Sequence, residues 1–186
     1  MSSSLDSTQS RAHKGAPTDG SLVLPPPASR TARFWIIVAV VTALDAFTKA
    51  LAVEHLVLRH VPHPVLGDFL RFTLAYNPGA AFGMYLGPAS RWIFATLSVI
   101  IVVTILRVTA DLTRISRLAA VGVPVVIGGA IGNLLDRIRF RDGVVDFIDI
   151  GVGDVRFWTF NIADTAVTVG AVCLVLALWK HDQALS

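Results

Sequence analysis

Four apolar runs, each long enough to cross a lipid bilayer as one helix, leave this chain few ways to fold. The first, FWIIVAVVTALDAFTKALAV (34–53), is a full span length interrupted only by Asp45 and Lys49. About 20 helical residues, rising 1.5 Å each, cover a hydrocarbon core of roughly 30 Å. The other candidates are 90–107, 118–135 and 157–179. The second is short, but Arg91 and Arg107 can snorkel to the interfaces and extend it. Trp35, Trp92, Trp158 and Trp179 fall at span ends, where amphipathic rings settle. Composition agrees: 16% of the residues are charged and 54% are hydrophobic, whereas soluble domains carry about a quarter charged. The reading is an all-α integral membrane protein with four transmembrane helices in a domain covering 34–180.

Residues 1–33 are rich in Ser, Thr, Pro and Gly and include Pro25, Pro26 and Pro27, which reads as a disordered tail. Residues 181–186 read as a short C-terminal tail. The first span follows a long polar lead and has no convincing small-residue cleavage site, so it reads as a retained helix rather than a signal peptide. Cys173 is the single cysteine. It lies within the fourth span, where packing is its expected role. The net charge of +3 could suggest nucleic acid, but the basic residues are scattered among membrane flanks, so no nucleic-acid partner is expected.

Four spans put both termini on one side. Lys and Arg number eight in the tail, the 107–117 loop and Lys180, against seven in 54–91 and 136–156. The loop RVTADLTRISR is a plain connector with Arg107, Arg114 and Arg117, which makes its side, and both termini, cytoplasmic. On the opposite side, FLRFTLAY places Leu70, Phe72, Leu74 and Tyr76 on one face and Arg71, Thr73 and Ala75 on the other, a strand period. Asn77, Pro78 and Gly79 then read as a turn. A small amphipathic sheet on the outer membrane surface is expected within 55–88, with VVDFIDIGVGDVRFW supplying a further hairpin or interfacial element.

Ionisable residues inside spans are costly and mark functional candidates. Asp45 and Lys49 share a helix face and read either as an intrahelical ion pair or as part of a site. At 1.5 Å per residue they lie about 15 Å and about 9 Å inside the span end near His55. Asn133, Asp136 and Arg137 read either as a helix end held by a local ion pair or as site residues. Asn161 and Asp164 share a face, with Asp164 about 12 Å below Arg156 by the same arithmetic. A carboxylate at that depth needs a partner or a proton. GGAIG (128–132) suits close helix packing, Pro124 reads as a tolerated kink, and Asp142, Asp149 and Asp154 read as solvated loop acids.

In chain order, DAFTK, NPGAAFG, GGAIGNLLDR, GVVDF and FNIADT resemble the ordered blocks of the bacterial lipoprotein signal peptidases, the type II signal peptidases, over roughly Phe34 to Trp179. The resemblance implies four membrane helices, a small extracytoplasmic β-rich cradle and an active site toward the extracytoplasmic face of the bacterial inner membrane. It implies a catalytic pair, Asp146 and Asp164. It also implies binding or supporting roles for Asp45, Lys49, Asn77, Asn133, Arg137 and Asn161. Asp136 reads as a structural partner of neighbouring arginines. Neither a metal nor a cofactor is implied. The implied partners are membrane lipids and prolipoproteins whose cysteine carries diacylglycerol, cleaved just before that cysteine.

Two carboxylates brought close together share one proton, so one acts as general base on water while the other polarises the scissile carbonyl. A small proton-coupled transporter or channel is the alternative, since intramembrane Asp and Lys also line ion paths. No inverted repeat or pair of broken helices accompanies them here. The five histidines form no H-E-x-x-H, and no His shares a block with a plausible catalytic serine.

Overall fold

A segment in hydrocarbon must satisfy its backbone internally, and all four apolar runs do so as helices. The computed structural model of the chain describes residues 27–79, 86–108, 113 and 116–183. Its elements are α1 (Pro27–His55), β1 (His63–Leu66), β2 (Leu70–Asn77), α2 (Ser90–Val108), α3 (Arg117–Arg139), β3 (Val144–Val152), β4 (Val155–Arg156) and α4 (Ile162–Gln183). All four helices are long and apolar enough to span a membrane, and outward-facing residues such as Ile36, Phe47, Ile100 and Val175 remain exposed as a belt for lipid. The chain is a multi-pass membrane protein.

Helix α3 is the centre of the bundle. Half of its apolar window is buried, against 22% or less for the others, and it packs on α1, α2 and α4. GGAIG makes that possible. A Cβ at Gly128 would press into Val41 and the Val38 carbonyl of α1, and one at Gly129 into the Ala163 carbonyl of α4. Both helix backbones therefore approach α3 at van der Waals distance. Thr42 Oγ1 adds a hydrogen bond to the Gly128 carbonyl at 3.1 Å. Ser116 caps α3 by accepting the Ala119 N–H at 3.3 Å. Pro124 lies within α3 and is fully buried.

The strands form one antiparallel sheet of order β1-β2-β3-β4. Its inner side closes over the helix ends through Ala52, Leu56, Leu74, Val145 and Phe147, joined by Tyr76, Phe140, Ile148 and Ile162. VVDFIDIGVGDVRFW thus gives the hairpin β3-β4. The alternation read from FLRFTLAY is interrupted by an irregularity between Phe72 and Ala75, so Thr73 and Leu74 are both buried. GVVDF opens on Gly143 at φ 104°, where a Cβ would run into the Asn77 carbonyl. Only glycine lets β3 start against the end of β2 at that point.

Three boundaries differ from the sequence reading. Helix α1 begins at Pro27, so 27–33 are helical rather than part of a tail; residues 1–26 and 184–186 lie outside the described residues. Helix α3 continues past Leu135 to Arg139, which puts Asp136 and Arg137 on the helix itself. The fourth helix begins at Ile162 and not at Phe157. The intervening residues bond to β3 instead, Phe157 N–H to the Ile150 carbonyl at 2.8 Å and Phe160 N–H to the Ile148 carbonyl at 3.0 Å.

Candidate active site

FNIAD is a helix start. Asn161 is the residue before α4; its Oδ1 accepts the Asp164 N–H at 2.9 Å, and Asp164 Oδ2 accepts the Asn161 N–H at 3.3 Å. This reciprocal pair is a capping box with Asn and Asp in the two roles. A third amide of the first turn, that of Ala163, donates to Asp45 Oδ1 of α1 at 2.8 Å. Asp164 therefore sits in the first turn of its helix, level with the sheet, rather than one-third of the way down a continuous span as its depth below Arg156 suggested.

Asp146 arrives from the sheet. Along β3, Val145 and Phe147 point into the core cluster, and Asp146 between them points the other way, into a cleft of about 670 Å³ that Asp164 also lines. Asn161 Nδ2 donates to Asp146 Oδ1 at 2.7 Å, and Asn133 Nδ2 donates to Asp164 Oδ1 at 2.7 Å. Asn161 Nδ2 also lies 3.1 Å from Asn133 Oδ1. Two amides thus join two carboxylates.

The orientation of Asn133 is set from behind. Lys49 Nζ donates to Asn133 Oδ1 at 2.9 Å, and an ammonium offers only donors. The amide must present its oxygen to Lys49 and its nitrogen to Asp164. Lys49 in turn is clamped by Asp45 at 2.8 Å and Asp136 at 2.9 Å, all three side chains being buried. Asp136 also accepts the Val145 N–H at 3.1 Å, which holds β3 on α3. Among the described residues the ion pair of Asp136 is with Lys49 rather than with a neighbouring arginine as expected, because the helical continuation of α3 turns it toward Lys49.

Arg137 donates to the Asn133 carbonyl and to the Gly79 carbonyl, both at 3.1 Å. Its Nε is buried without a hydrogen-bond partner among the described residues. Asn77 accepts the Gly79 N–H through Oδ1 at 3.0 Å, the expected turn, and its side chain also hydrogen-bonds to Asp146. All eight residues singled out from the sequence therefore converge on one connected region. The sequence did not indicate the opposite wall, Phe157–Phe160 followed by Thr165 and Thr168, nor His60, which lines the same cleft in a left-handed conformation at φ 61°.

Burial, and next the charge of Asp164, push the Asp146 carboxyl up to about 7, against the opposing hydrogen bonds of Asn77 and Asn161. Asp146 is thus poised to hold a proton near neutrality.

The geometry has clear relatives. The family described as signal peptidase (SPase) II matches residues 37–180. The chain belongs to the signal peptidase II family. The lipoprotein signal peptidase of Geobacillus kaustophilus is 42% identical over 148 residues, covering 80% of this chain and 93% of that protein. That of Coxiella burnetii (strain RSA 493 / Nine Mile phase I) is 39% identical over 145 residues, covering 76% and 86%. A solved bacterial membrane enzyme superposes with a TM-score of 0.72 at 27% identity, covering 83% of this chain and 92% of that one. Membership of the signal peptidase II family makes the chain a protease, and it sets the transporter reading aside.

Within this family the packing beneath the site carries a clear expectation. A methyl group added at Gly132 would collide with the Asp45 carboxylate, itself bound to Lys49. Gly132→Ala should cost about 1–3 kcal/mol through overpacking. Thermal unfolding in detergent should therefore begin at a lower temperature than in the wild type, with activity reduced as Lys49 is displaced.

Proposed function

We propose that this signal peptidase II is an aspartic endopeptidase that removes signal peptides from diacylglyceryl-modified bacterial prolipoproteins, cutting just before the lipidated cysteine. The observation that carries the reading is the amide-linked pair: Asp146 and Asp164 enter one cleft from different elements, bridged by Asn161 and Asn133. Asp164 accepts the Asn133 amide at 2.7 Å from the first turn of α4. Asp146, buried beside it, holds the shared proton.

In this reading, Asp164 draws a proton from water as the oxygen attacks the scissile carbonyl, and the Asp146 carboxyl hydrogen-bonds the carbonyl oxygen as charge develops there. Collapse of the tetrahedral adduct breaks the C–N bond, and a carboxyl proton passes to the amine of the lipidated cysteine. Arg137, with its unpartnered Nε, and Asn77 hold substrate oxygens by donation. The site sits where the helices meet the sheet, so a lipid-anchored peptide bond reaches it at the membrane interface. The setting is the bacterial inner membrane, with both termini cytoplasmic and the cleft on the extracytoplasmic face.

Two measurements test this. Mass spectrometry of products from a purified reaction should find the lipidated cysteine as the new N-terminus; cleavage elsewhere would refute the assignment. The pH profile of kcat/KM should fall as pH rises through about 7, because Asp146 then loses the proton it donates. The same shift has a stability sign. A raised carboxyl contributes stability present below its unfolded value, about 3.9, and lost as pH rises to the folded value. Asp146→Asn should therefore stabilise the protein at pH 8 more than at pH 5, read by thermal unfolding.

A further inference from the structure

Asp149 is not the solvated acid that its place in GVVDFIDI suggests. It is 6% exposed, because period-two alternation puts it on the same face of β3 as Val145 and Phe147. Its Oδ1 accepts Arg156 Nε at 2.6 Å, and its Oδ2 accepts Arg71 Nε and Thr73 Oγ1, each at 3.1 Å. Asp68 completes the cluster, pairing with Arg71 at 3.1 Å and accepting from Arg156 at its backbone carbonyl at 3.0 Å. Burial pushes the Asp149 carboxyl up, but the hydrogen bonds from Arg156, Arg71 and Thr73 outweigh it and hold it below its ordinary value. None of these side chains lines the catalytic cleft.

The two arginines are unequal in what they hold. Arg71 lies within β2, directly across from Asp149 in register. Arg156 is the last residue of β4, and the chain passes from it straight into Phe157–Phe160, which form a wall of the cleft, and then into Asn161. Arg156 is fastened at both ends of the Asp149 residue, Nε to the carboxylate and a terminal nitrogen to the backbone carbonyl at 3.3 Å. The backbone of the wall is joined to β3 at its two ends, Phe157 and Phe160, and Phe157 and Trp158 stay more than half exposed beside the two aspartates.

We propose that Asp149, acting through Arg156, is a positioning residue that sets the aromatic wall Phe157–Phe160 against the apolar part of the substrate next to the scissile bond. This rests on the peptidase reading above. The wall is uncharged and, apart from Thr159, aromatic, so its ligand is apolar: either the acyl chains on the cysteine or the apolar signal-peptide side chains preceding it.

The test uses the purified full chain in lipid, with a synthetic diacylglyceryl precursor peptide. Arg156→Gln and Asp149→Asn should each raise KM about tenfold with kcat nearly unchanged, the pattern of lost uniform binding. The double variant should be no worse than either single one. Arg71→Gln removes the other arginine partner of Asp149 and should lower the unfolding temperature without moving KM. Should Arg156→Gln fail to fold, Arg156→Lys, which keeps the charge but loses the fork, should still raise KM. Repeating the comparison with short acyl chains, and with alanine before the cysteine, identifies the apolar group: the one whose truncation erases the difference between wild type and Arg156→Gln. Equal KM effects from Arg71→Gln and Arg156→Gln, or losses in kcat alone, would overturn the proposal. A wild-type protein that cleaves neither peptide would instead overturn the peptidase reading itself.

Discussion

Asp146→Asn and Asp164→Asn should each lower kcat by about a thousandfold or more, because each removes a proton donor or acceptor in the transition state and general acid–base groups contribute about 10²–10⁴-fold apiece. The losses should not add. Both carboxylates handle the same proton, so the doubly substituted protein should be little slower than either single variant. Asparagine is nearly isosteric with aspartate, and Asn161 and Asn133 would still find an oxygen acceptor at each position. The folded protein should therefore survive, and the Asp146 variant should be the more stable of the two at alkaline pH. Single-turnover cleavage of a lipidated precursor measures the loss; unchanged turnover in either variant would remove that residue from the chemistry.

Lys49→Met should have the largest effect on stability. Among the described residues, Lys49 is the cation that forms ion pairs with both Asp45 and Asp136, which are buried, at 2.8 and 2.9 Å. Removing one partner of a buried pair leaves uncompensated charge and costs about 3–5 kcal/mol. The same substitution frees the Asn133 amide to rotate, so the surviving folded protein should also turn over more slowly. Adding Asp136→Asn to Lys49→Met should restore part of the stability, since one stranded charge is gone, but not the rate, since Asn133 still lacks its anchor. Thermal unfolding of the wild type, Lys49→Met and the double variant in one detergent, with kcat for each, checks both halves. Equal stability of Lys49→Met and wild type would contradict the network described here.

The sequence carried most of the site, and its misses have physical causes. Helical spans were legible because apolar length alone dictates them in lipid, and GGAIG announced a close approach that Gly128 and Gly129 make on opposite neighbours. Asp45, Lys49, Asn133 and Asp164 stood out because polar groups in spans require partners. The pairing within the network was not legible. Proximity in sequence points Asp136 toward the neighbouring arginines, whereas the helix turns it toward Lys49, far away in the chain. Hydropathy starts the fourth helix at Phe157 because Phe157–Phe160 are as apolar as a span, whereas Phe157 and Phe160 bond to β3 instead. The cap Asn161–Asp164 was the available signal for the true start. Asp149 reads as a solvated loop acid, whereas counting by twos from Val145 places it on the buried face of β3.

One comparison tests the catalytic role of Asp146 and the need for the lipid together. Purified protein, reconstituted in lipid, is incubated with a diacylglyceryl-modified precursor and with the same precursor lacking the lipid, alongside the Asp146→Asn variant. Cleavage of the modified precursor alone, abolished in the variant, is the predicted result. Cleavage of both precursors, or cleavage that persists in Asp146→Asn, would contradict it.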